Sequence, residues 1–524
     1  MLQILKTRWP LFLVLLVFIL CKIPHLNYPY YWDESWPYAP AIRQMYVHGI
    51  SLMPNAVESE LSRGHPLFFH AIAAMWMYIF GSSHISMHSF ALLISVLFLI
   101  AIYETGIRLF NPRVAFLALA LVACQELFFV QSSFVLLEVL VAFLVYISIF
   151  FYVKHRYLFT ILSLTALFYT KESGLIIGAV LGLDAFFSLF GKNNFTRKNI
   201  LSVLSIAIPC LLTGVFFLLQ KHIRGWYIFP FYNDLIEHNW LAFWYKFRMG
   251  SVRGVFYEHY IYLDFLLLLL LSLFVAIKNK KFTWLILWIP GALIYFFVDD
   301  MRAEKLAHPK PFFALFILSV WAMLFITNKL SIYQNKPQKK YINLSIWFII
   351  GFLCFSATNF FSYRYLLAAI IPALFFIAFI LVRLTEQSYK WIYYPVIALV
   401  GCVGYYAFSH NYGYGDGDMD AFKAMDIQSE VVHFFEKNND YDSSISSASF
   451  MTRNHLTDQY TGFLPSDKSF RNVKWGIDSN TTFVIFDDIE PDNRYDSIKN
   501  TPAFHLVFRD RKDSIWTEIY QRKK

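Results

Sequence analysis

The feature that most constrains this chain is a series of long apolar segments. A helix needs about 20 apolar residues to cross the hydrocarbon core of a bilayer, with a lower limit near 17. Only 15% of all residues are charged, whereas soluble domains carry about 25%. The sequence therefore predicts a polytopic α-helical membrane protein. The fourteen apolar segments are 9–24, 66–80, 86–107, 114–131, 134–153, 157–170, 174–190, 200–219, 260–277, 282–298, 311–327, 341–357, 365–383 and 391–409.

The distribution of Lys and Arg tests how many of these segments cross the membrane. If all fourteen crossed from a cytoplasmic N-terminus, most basic loops would lie outside, against the positive-inside rule. If the short segment 66–80 enters without crossing, thirteen spans remain and the basic loops become cytoplasmic. We therefore expect about thirteen transmembrane helices. Residues 25–64, 220–259 and 299–310 and the C-terminal region then lie on the external face.

The composition changes after residue 410, which predicts two domains, 1–410 in the membrane and 411–524 outside it. The Gly- and Asp-rich run from Asn411 to Asp420 is typical of a linker. An amphipathic helix is expected at 424–437, and short strands at 444–450, 482–486, 506–509 and 515–520. The last two strands could form a hairpin. We predict a small extracytoplasmic α/β domain.

Two adjacent carboxylates, Asp33 and Glu34, follow the first apolar segment and lie among aromatic residues in the loop 25–64. A carboxylate at this position could accept a proton from a nucleophilic hydroxyl group. A solvated acidic turn within an interfacial aromatic belt is the alternative interpretation.

The end of the same loop and the start of a later segment carry further candidates. Pro66 fits the first position of a helix with His65 as its cap, and a helix N-terminus beside Arg63 would attract a phosphate. Glu138 lies close to the external end of its apolar segment, where a carboxylate is costly and usually functional. A plain capped helix and a structural hydrogen bond are the respective alternatives.

Four of the Lys and Arg side chains that the topology places on the external face are exceptions to the positive-inside rule. They are Lys171, in the turn between two apolar segments, Arg302 and Lys305 in the loop 299–310, and Arg364 at the start of the segment 365–383. A lipid phosphate would explain them. Ion pairs with neighbouring carboxylates are the alternative for Lys171, Arg302 and Lys305.

Taken together, these features resemble the GT-C glycosyltransferases, in particular the branch of protein O-mannosyltransferases, lipid A aminoarabinose transferases and RgtA/B/C/D-like enzymes. Asp33 and Glu34 match the acidic motif of the first loop, and His65-Pro66 matches a His-Pro-Pro or Lys-Pro-Pro element, with Leu67 in place of the second Pro. Glu138 matches an acidic residue of the cavity. Arg364 begins a run similar to Arg-Tyr-Leu-Leu-x-Pro, with the Pro displaced to Pro372.

The resemblance implies inverting transfer of a sugar from a polyprenyl-phosphate donor to a hydroxyl of a glycan, lipid or protein on the external face. Asp33 or Glu34 would be the base, and cationic residues would stabilise the leaving prenyl phosphate. It also implies a multi-pass protein of the cell envelope, such as the bacterial inner membrane.

Other functions remain open at this point. A transporter or flippase would also place charges within the membrane, although no inverted repeat is visible in the sequence. A polysaccharide polymerase or ligase would use similar lipids. No nucleic-acid-binding module is recognised. No cofactor is indicated, and the sequence leaves a divalent metal open.

Overall fold

The computed structural model describes residues 2–190, 195–256, 259–288, 333–358, 362–410, 413, 415–464 and 468–523. The region before residue 410 is mostly helical, as expected. Short helices at Ser59–Ser62, Glu126–Gln131, Pro230–Asn233, Trp240–Lys246 and Arg253–Phe256 lie between the longer ones. The longer helices are Leu2–Lys22, Tyr38–His48, Phe68–Phe80, His84–Leu109, Pro112–Ala123, Glu138–Val153, Tyr157–Phe168, Leu175–Ser188, Arg197–Arg224, Ile261–Asn279, Lys336–Ala357, Leu367–Gln387 and Tyr393–Ser409.

Seven helical segments among the described residues are long and apolar enough to cross a membrane. The helix Phe68–Phe80 has 13 residues and is therefore about 20 Å long, too short for a core of about 30 Å. However, the helix Tyr157–Phe168, which we expected to cross, has only 12 residues. Helix length alone therefore does not single out the segment 66–80, and the number of thirteen spans stays a prediction. The segment 311–327 and most of 282–298 lie outside the described residues.

The helix Leu367–Gln387 is the centre of the helical region. It is almost entirely buried and packs against the helices Pro112–Ala123, Glu138–Val153 and Ile261–Asn279. Its composition explains this position, because apolar residues cover every face and no charged residue precedes Arg383 within it. The residues just before its first turn consequently lie at one end of the packed core.

The C-terminal region forms a five-stranded mixed sheet, which confirms the expected small α/β domain. The strands are β1 (Ile445–Ser447), β2 (Val473–Lys474), β3 (Phe483–Asp487), β4 (Phe504–Lys512) and β5 (Ile515–Arg522), in the order β2-β1-β3-β5-β4. β1 pairs in parallel with β2 and β3, whereas β5 is antiparallel to both β3 and β4. The predicted hairpin is present as β4 and β5.

The helix Ala421–Lys437 covers this sheet and packs on β4 and β5. Phe435 contacts Phe483 with ring centroids 5.3 Å apart, and Phe434 lies 5.3 Å from Phe508. The helices Phe450–Thr457 and Tyr495–Lys499 complete the domain. The sequence did not predict β2, because two residues are too few to show an alternating pattern.

The α/β domain packs directly on the loop 25–64. The Tyr30 amide donates to the carbonyl of Thr461 at 2.8 Å, and the Ser35 hydroxyl contacts the Met451 sulfur at 3.9 Å. The two domains are therefore in contact beside the two adjacent carboxylates.

Candidate active site

Short 3-10 helices hold several of the charged residues that the sequence singled out. Asp33 and Glu34 lie in Trp32–Glu34, Lys171 directly precedes Glu172–Gly174, and Arg364 lies in Tyr363–Leu366. Two of these turns lead directly into long apolar helices. Glu138 is itself the first residue of the helix Glu138–Val153. Because that helix packs against Leu367–Gln387, Glu138 and Arg364 come together at the same end of the bundle.

The two adjacent carboxylates have different environments. Glu34 is fully buried, and its Oε1 accepts from the Val135 amide at 2.7 Å and from His88 Nε2 at 2.8 Å. Its Oε2 accepts from the Tyr31 amide at 3.3 Å. These bonds join the acidic turn to the helix His84–Leu109 and to the segment before Glu138. Through the bonds from His88 and Val135, Glu34 fixes the loop 25–64 to the helical region.

Asp33 faces the opposite way and keeps 21% of its side chain exposed. Its Oδ2 accepts from Nη2 of Arg364, whose side chain is only 2% exposed. The preceding residue, Trp32, has a φ of 53°, a left-handed conformation that is unfavourable for a large side chain. Such conformations persist where the surrounding structure fixes them, which is common at functional sites. The turn thus places the two carboxylates in different environments.

Three carboxylates converge on the guanidinium of Arg364. Asp33 contacts Nη2, Asp416 contacts Nη1, and Glu138 Oε1 lies 3.5 Å from Nε. Glu138 also accepts from Nζ of Lys171 at 3.3 Å and is 3% exposed. A chain of ionic contacts therefore runs from Asp33 through Arg364 and Glu138 to Lys171. A buried cation without such partners would be strongly destabilising.

Lys171 and Glu172 do not pair with each other, which excludes the local ion pair considered for this turn. Nζ of Lys171 lies 3.7 Å from the centre of the Tyr365 ring in addition to its contact with Glu138. Glu172 accepts from Nδ1 of His65 at 2.8 Å. Burial raises the pKa of Glu172, but His65 and Lys171 outweigh this effect and leave the pKa below its ordinary value.

The prediction that His65 caps a helix beginning at Pro66 is wrong. The helix begins at Phe68, and its N-cap residue Leu67 makes no side-chain capping bond. Instead, the Phe68 amide donates to the carbonyl of Tyr169 at 2.7 Å, which ties this helix to the turn before Lys171. His65 is buried and points towards Glu172, so its side chain belongs to the cavity rather than to a cap.

A cavity of about 460 Å³ lies next to this chain of contacts. Its volume is in the range of small-molecule binding sites. Its lining combines ionisable groups with a large apolar wall. The ionisable lining residues are Arg63, His65, Glu138, Lys171 and Glu172, and the apolar ones include Leu175, Ile176, Phe217, Phe352 and Phe355.

Arg63 and Gly64 form a constrained corner of the cavity. Arg63 has a φ of 49°, and its guanidinium lies 4.9 Å from the centre of the Trp36 ring. Gly64 has a φ of 73°, and a β-carbon at this position would lie 2.9 Å from the Trp226 ring. Only glycine fits this close approach without strain. The corner therefore fixes where the Arg63 side chain enters the cavity.

Two of the predicted site residues, Arg302 and Lys305, lie outside the described residues. Within the described part of the chain, no group of three or more His, Cys, Asp or Glu side chains is placed to hold a metal ion. The carboxylates of Asp33, Glu138 and Asp416 instead surround the Arg364 guanidinium.

The sequence missed Asp416, because the Gly- and Asp-rich run around it is typical of a linker. The signal that could have identified it is its position directly after the last predicted span, on the same face as Asp33. Glu126 is another buried carboxylate, and its surroundings differ from those of Glu138. It accepts from the Met419 amide at 3.0 Å and lies 3.6 Å from His259 Nδ1.

Comparison with known families matches a stretch of the chain that carries part of this site. Residues 64–228 match the family described as dolichyl-phosphate-mannose-protein mannosyltransferase. The predicted resemblance to protein O-mannosyltransferases is confirmed over this stretch of the chain. The matched region contains His65, Glu138 and Lys171, whereas Asp33 and Arg364 lie outside it. Comparison with curated protein sequences gives no match.

Solved structures of GT-C proteins are also similar to this chain. ArnT from Cupriavidus metallidurans, in a crystal structure with bound undecaprenyl phosphate, has 14% identity and a TM-score of 0.45, with 97% of each chain covered. The archaeal oligosaccharyltransferase AglB from Archaeoglobus fulgidus, in complex with an inhibitory peptide and a dolichol-phosphate, has 11% identity and a TM-score of 0.43. That match covers 92% of this chain and 70% of AglB. At these values the similarity carries no conclusion about activity.

Proposed function

We propose that this protein is a glycosyltransferase that moves a sugar from a polyprenyl-phosphate donor to a hydroxyl group of an acceptor, with inversion at the anomeric carbon. The observation that carries the proposal is the chain of contacts from Asp33 through Arg364 and Glu138 to Lys171, beside a cavity with cationic and apolar walls. The match of residues 64–228 to a family named for a lipid-phosphate sugar donor supports the same chemistry.

Asp33 is the base in this proposal. A hydroxyl group is a weak nucleophile at neutral pH and needs a positioned acceptor for its proton. Asp33 is partly exposed and one of its oxygens contacts Arg364, whereas both oxygens of Glu34 accept bonds from the protein. Glu34 is the residue that holds the turn.

The donor lipid occupies the cavity. Its phosphate interacts with Arg63, Lys171 and His65, and its prenyl chain follows the wall formed by Phe217, Phe352 and their neighbours. Glu138 and Glu172 already accept from Lys171 and His65. The phosphate therefore competes with these carboxylates, which favours release of the prenyl phosphate after transfer.

The chemical step is a single displacement. The acceptor oxygen attacks the anomeric carbon, its proton passes to Asp33, and the bond between the anomeric carbon and the phosphate oxygen breaks. The electron pair of that bond leaves with the prenyl phosphate, whose negative charge the cavity cations stabilise. The sugar is transferred with inverted configuration. The step needs only the donor and the acceptor as reactants.

The face on which the reaction occurs is also part of the proposal. The arrangement of basic loops favours an external location for Asp33 and for the α/β domain. A reporter that is active only in the cytoplasm, fused after Lys524, should stay silent in cells. A strong cytoplasmic signal would reverse the assigned topology without changing the chemistry.

The decisive experiment uses the purified full-length protein in lipid nanodiscs. It is incubated with a panel of radiolabelled undecaprenyl-phosphate hexoses and pentoses and with membrane extracts as a source of acceptor. Release of prenyl phosphate and formation of a glycosidic product are measured for the parent protein, for Asp33→Asn, and for Glu60→Gln. Glu60 is an exposed carboxylate in the same loop and is the matched control.

Loss of general-base catalysis typically lowers a rate by about 10²–10⁴. We expect a loss of this size in Asp33→Asn and parental rates in Glu60→Gln. If Asp33→Asn is folded and transfers sugar at the parental rate, Asp33 is not the base. A parent protein that alters lipid or sugar movement across vesicles, with no glycosidic product from any donor, would instead be a transporter.

A further inference from the structure

The segment between the two domains contributes a charged side chain to the candidate active site. Residues 415–420, which we call the junction, lead from the membrane domain into the helix Ala421–Lys437. Within it, Asp416 is only 4% exposed and its carboxylate contacts Nη1 of Arg364. A surface linker would leave such a carboxylate in solvent. The burial of Asp416 shows that this part of the chain is docked in the membrane domain.

Two independent hydrogen bonds anchor the junction to the helix Glu126–Gln131. Gln131 Nε2 donates to the backbone carbonyl of Asp416, and Glu126 Oε1 accepts from the Met419 amide at 3.0 Å. Between them, Gly417 packs against Leu127, where an added β-carbon would lie 3.2 Å from the Leu127 side chain. These contacts involve the backbone of the junction. They therefore fix the backbone position of Asp416 independently of its side chain.

Asp416 and Asp33 occupy the two terminal nitrogens of the same guanidinium. Because the guanidinium is planar and its nitrogens have fixed directions, a partner on Nη1 determines where Nη2 points. Glu138 lies near the third nitrogen, Nε, at a longer distance of 3.5 Å. Asp416 therefore fixes the orientation in which Arg364 presents Nη2 to Asp33.

We propose that Asp416 is a positioning residue for the sugar-transfer reaction, which acts through Arg364 to set the direction and the charge state of Asp33. The proposal rests on the function proposed above, in which Asp33 is the base. It makes docking of the α/β domain a condition for full activity, since the junction that carries Asp416 is the start of that domain.

The charge of Asp416 predicts a specific effect on the pH dependence of the reaction. The groups around Asp33 are Arg364, the more distant Arg63, the neighbouring Glu34, and, across the guanidinium, Glu138 and Asp416. Removal of the Asp416 charge leaves the positive charge of Arg364 less compensated, which favours the ionised form of Asp33. The acid limb of kcat/KM should therefore move to lower pH. Because Asp33 and Asp416 contact the same guanidinium, we expect a shift of about one pH unit.

The test compares Asp416→Asn with Asp418→Asn in the full-length protein. Asn is close in shape to Asp and leaves the backbone contact with Gln131 available, so the junction can remain docked. Asp418 lies in the same junction, and among the described residues no ion pair joins its carboxylate to Arg364, so it is the matched control. Initial rates with undecaprenyl-phosphate sugar are measured from pH 5 to pH 9, with donor concentration varied to separate kcat from KM.

We expect Asp416→Asn to lower kcat about tenfold or more, to leave the donor KM within about twofold, and to move the acid limb by about one pH unit. Asp418→Asn should behave as the parent. The double variant Asp33→Asn/Asp416→Asn should be no slower than Asp33→Asn alone, because the two residues act through the same group. A structural defect alone would not move the pH profile.

Several results would overturn the proposal. A higher rate or a lower donor KM in Asp416→Asn would show that Asp416 blocks the site instead of positioning it. Parental kinetics in Asp416→Asn, with Asp33→Asn inactive, would reject the role of Asp416 and leave the proposed function intact. A fully active Asp33→Asn would reject the proposed function itself. If Asp416→Asn does not fold, Asp416→Glu is used, because it keeps the negative charge but displaces it. A lower kcat with an unchanged acid limb of the pH profile is then expected. An unchanged kcat contradicts the proposal.

Discussion

Replacement of Glu34 by Gln should destabilise the protein far more than replacement of Asp33 by Asn, although the two residues are adjacent. Glu34 is fully buried and accepts three hydrogen bonds, from the amides of Val135 and Tyr31 and from His88 Nε2. A glutamine offers only one acceptor oxygen. If that oxygen replaces Oε1, the amide nitrogen faces the Tyr31 N–H, and two buried donors oppose each other.

The magnitude follows from the bonds that are lost. A hydrogen bond to a charged acceptor contributes about 1.5–3 kcal/mol, and a buried donor without a partner costs about 1–3 kcal/mol. Glu34→Gln should therefore lower the free energy of unfolding by about 2–5 kcal/mol. Asp33→Asn should cost less, because Asp33 is partly exposed and Arg364 keeps Glu138 and Asp416 as partners.

Thermal unfolding of the purified variants in one detergent, followed by intrinsic fluorescence, measures this difference. The unfolding midpoint of Glu34→Gln should be several degrees below the parent, and that of Asp33→Asn should lie close to the parent while its transfer rate falls. An unchanged midpoint in Glu34→Gln, or a larger decrease in Asp33→Asn than in Glu34→Gln, would refute the assignment of structural and chemical roles within this pair.

Three further predictions concern other parts of the chain. Glu138→Gln should reduce the rate of sugar transfer at least tenfold. Glu104 pairs with two arginines outside the site, at 2.7 and 3.1 Å, so Glu104→Gln should retain the parental rate in the same assay. The reverse order of rates would mean that the cavity is misplaced. Gly64→Ala should raise the donor KM and cost more than about 1 kcal/mol of stability, because its β-carbon meets the Trp226 ring at a φ of 73°; parental donor titrations and unfolding curves would contradict this. Burial raises the pKa of Asp487 from an ordinary value of 3.8 to about 6. Its contribution of about 3 kcal/mol to the free energy of unfolding is therefore complete below pH 4 and is lost as the pH rises through 6. Urea-dependent proteolysis of the α/β domain should show this pH dependence, and Asp487→Asn should remove it.

Much of the architecture could be predicted because its signals are local. Apolar length gives the helices of the membrane region, and the alternation of residues around Asp510–Asp513 gives the hairpin of β4 and β5, which turns at Asp513 with a φ of 55°. The charged residues of the site could be selected for a similar reason. Their charge is unusual at the ends of apolar segments, whatever their partners are.

The partners themselves could not be predicted from the sequence. Asp33 and Arg364 are 331 residues apart, and His65 and Glu172 are 107 residues apart. No local pattern specifies such pairs, because they depend on which helix ends come together in the packed bundle. The same reason explains the missed role of Asp416: its neighbours in sequence predict a flexible linker, and only tertiary packing brings it to Arg364.

The contacts around Arg364 also set an order of events during synthesis. Asp33 leaves the ribosome first, Arg364 follows much later, and Asp416 comes later still. At about 5–20 residues per second, roughly 20–80 s pass between synthesis of Asp33 and synthesis of Asp416. Glu138 and Lys171 are both synthesised within that interval, but the contacts around Arg364 cannot be completed before Asp416 is made. A ribosome-bound or prematurely released chain that ends before Asp416 therefore lacks the contact of Asp416 with Arg364, and with it the arrangement that we propose for positioning Asp33.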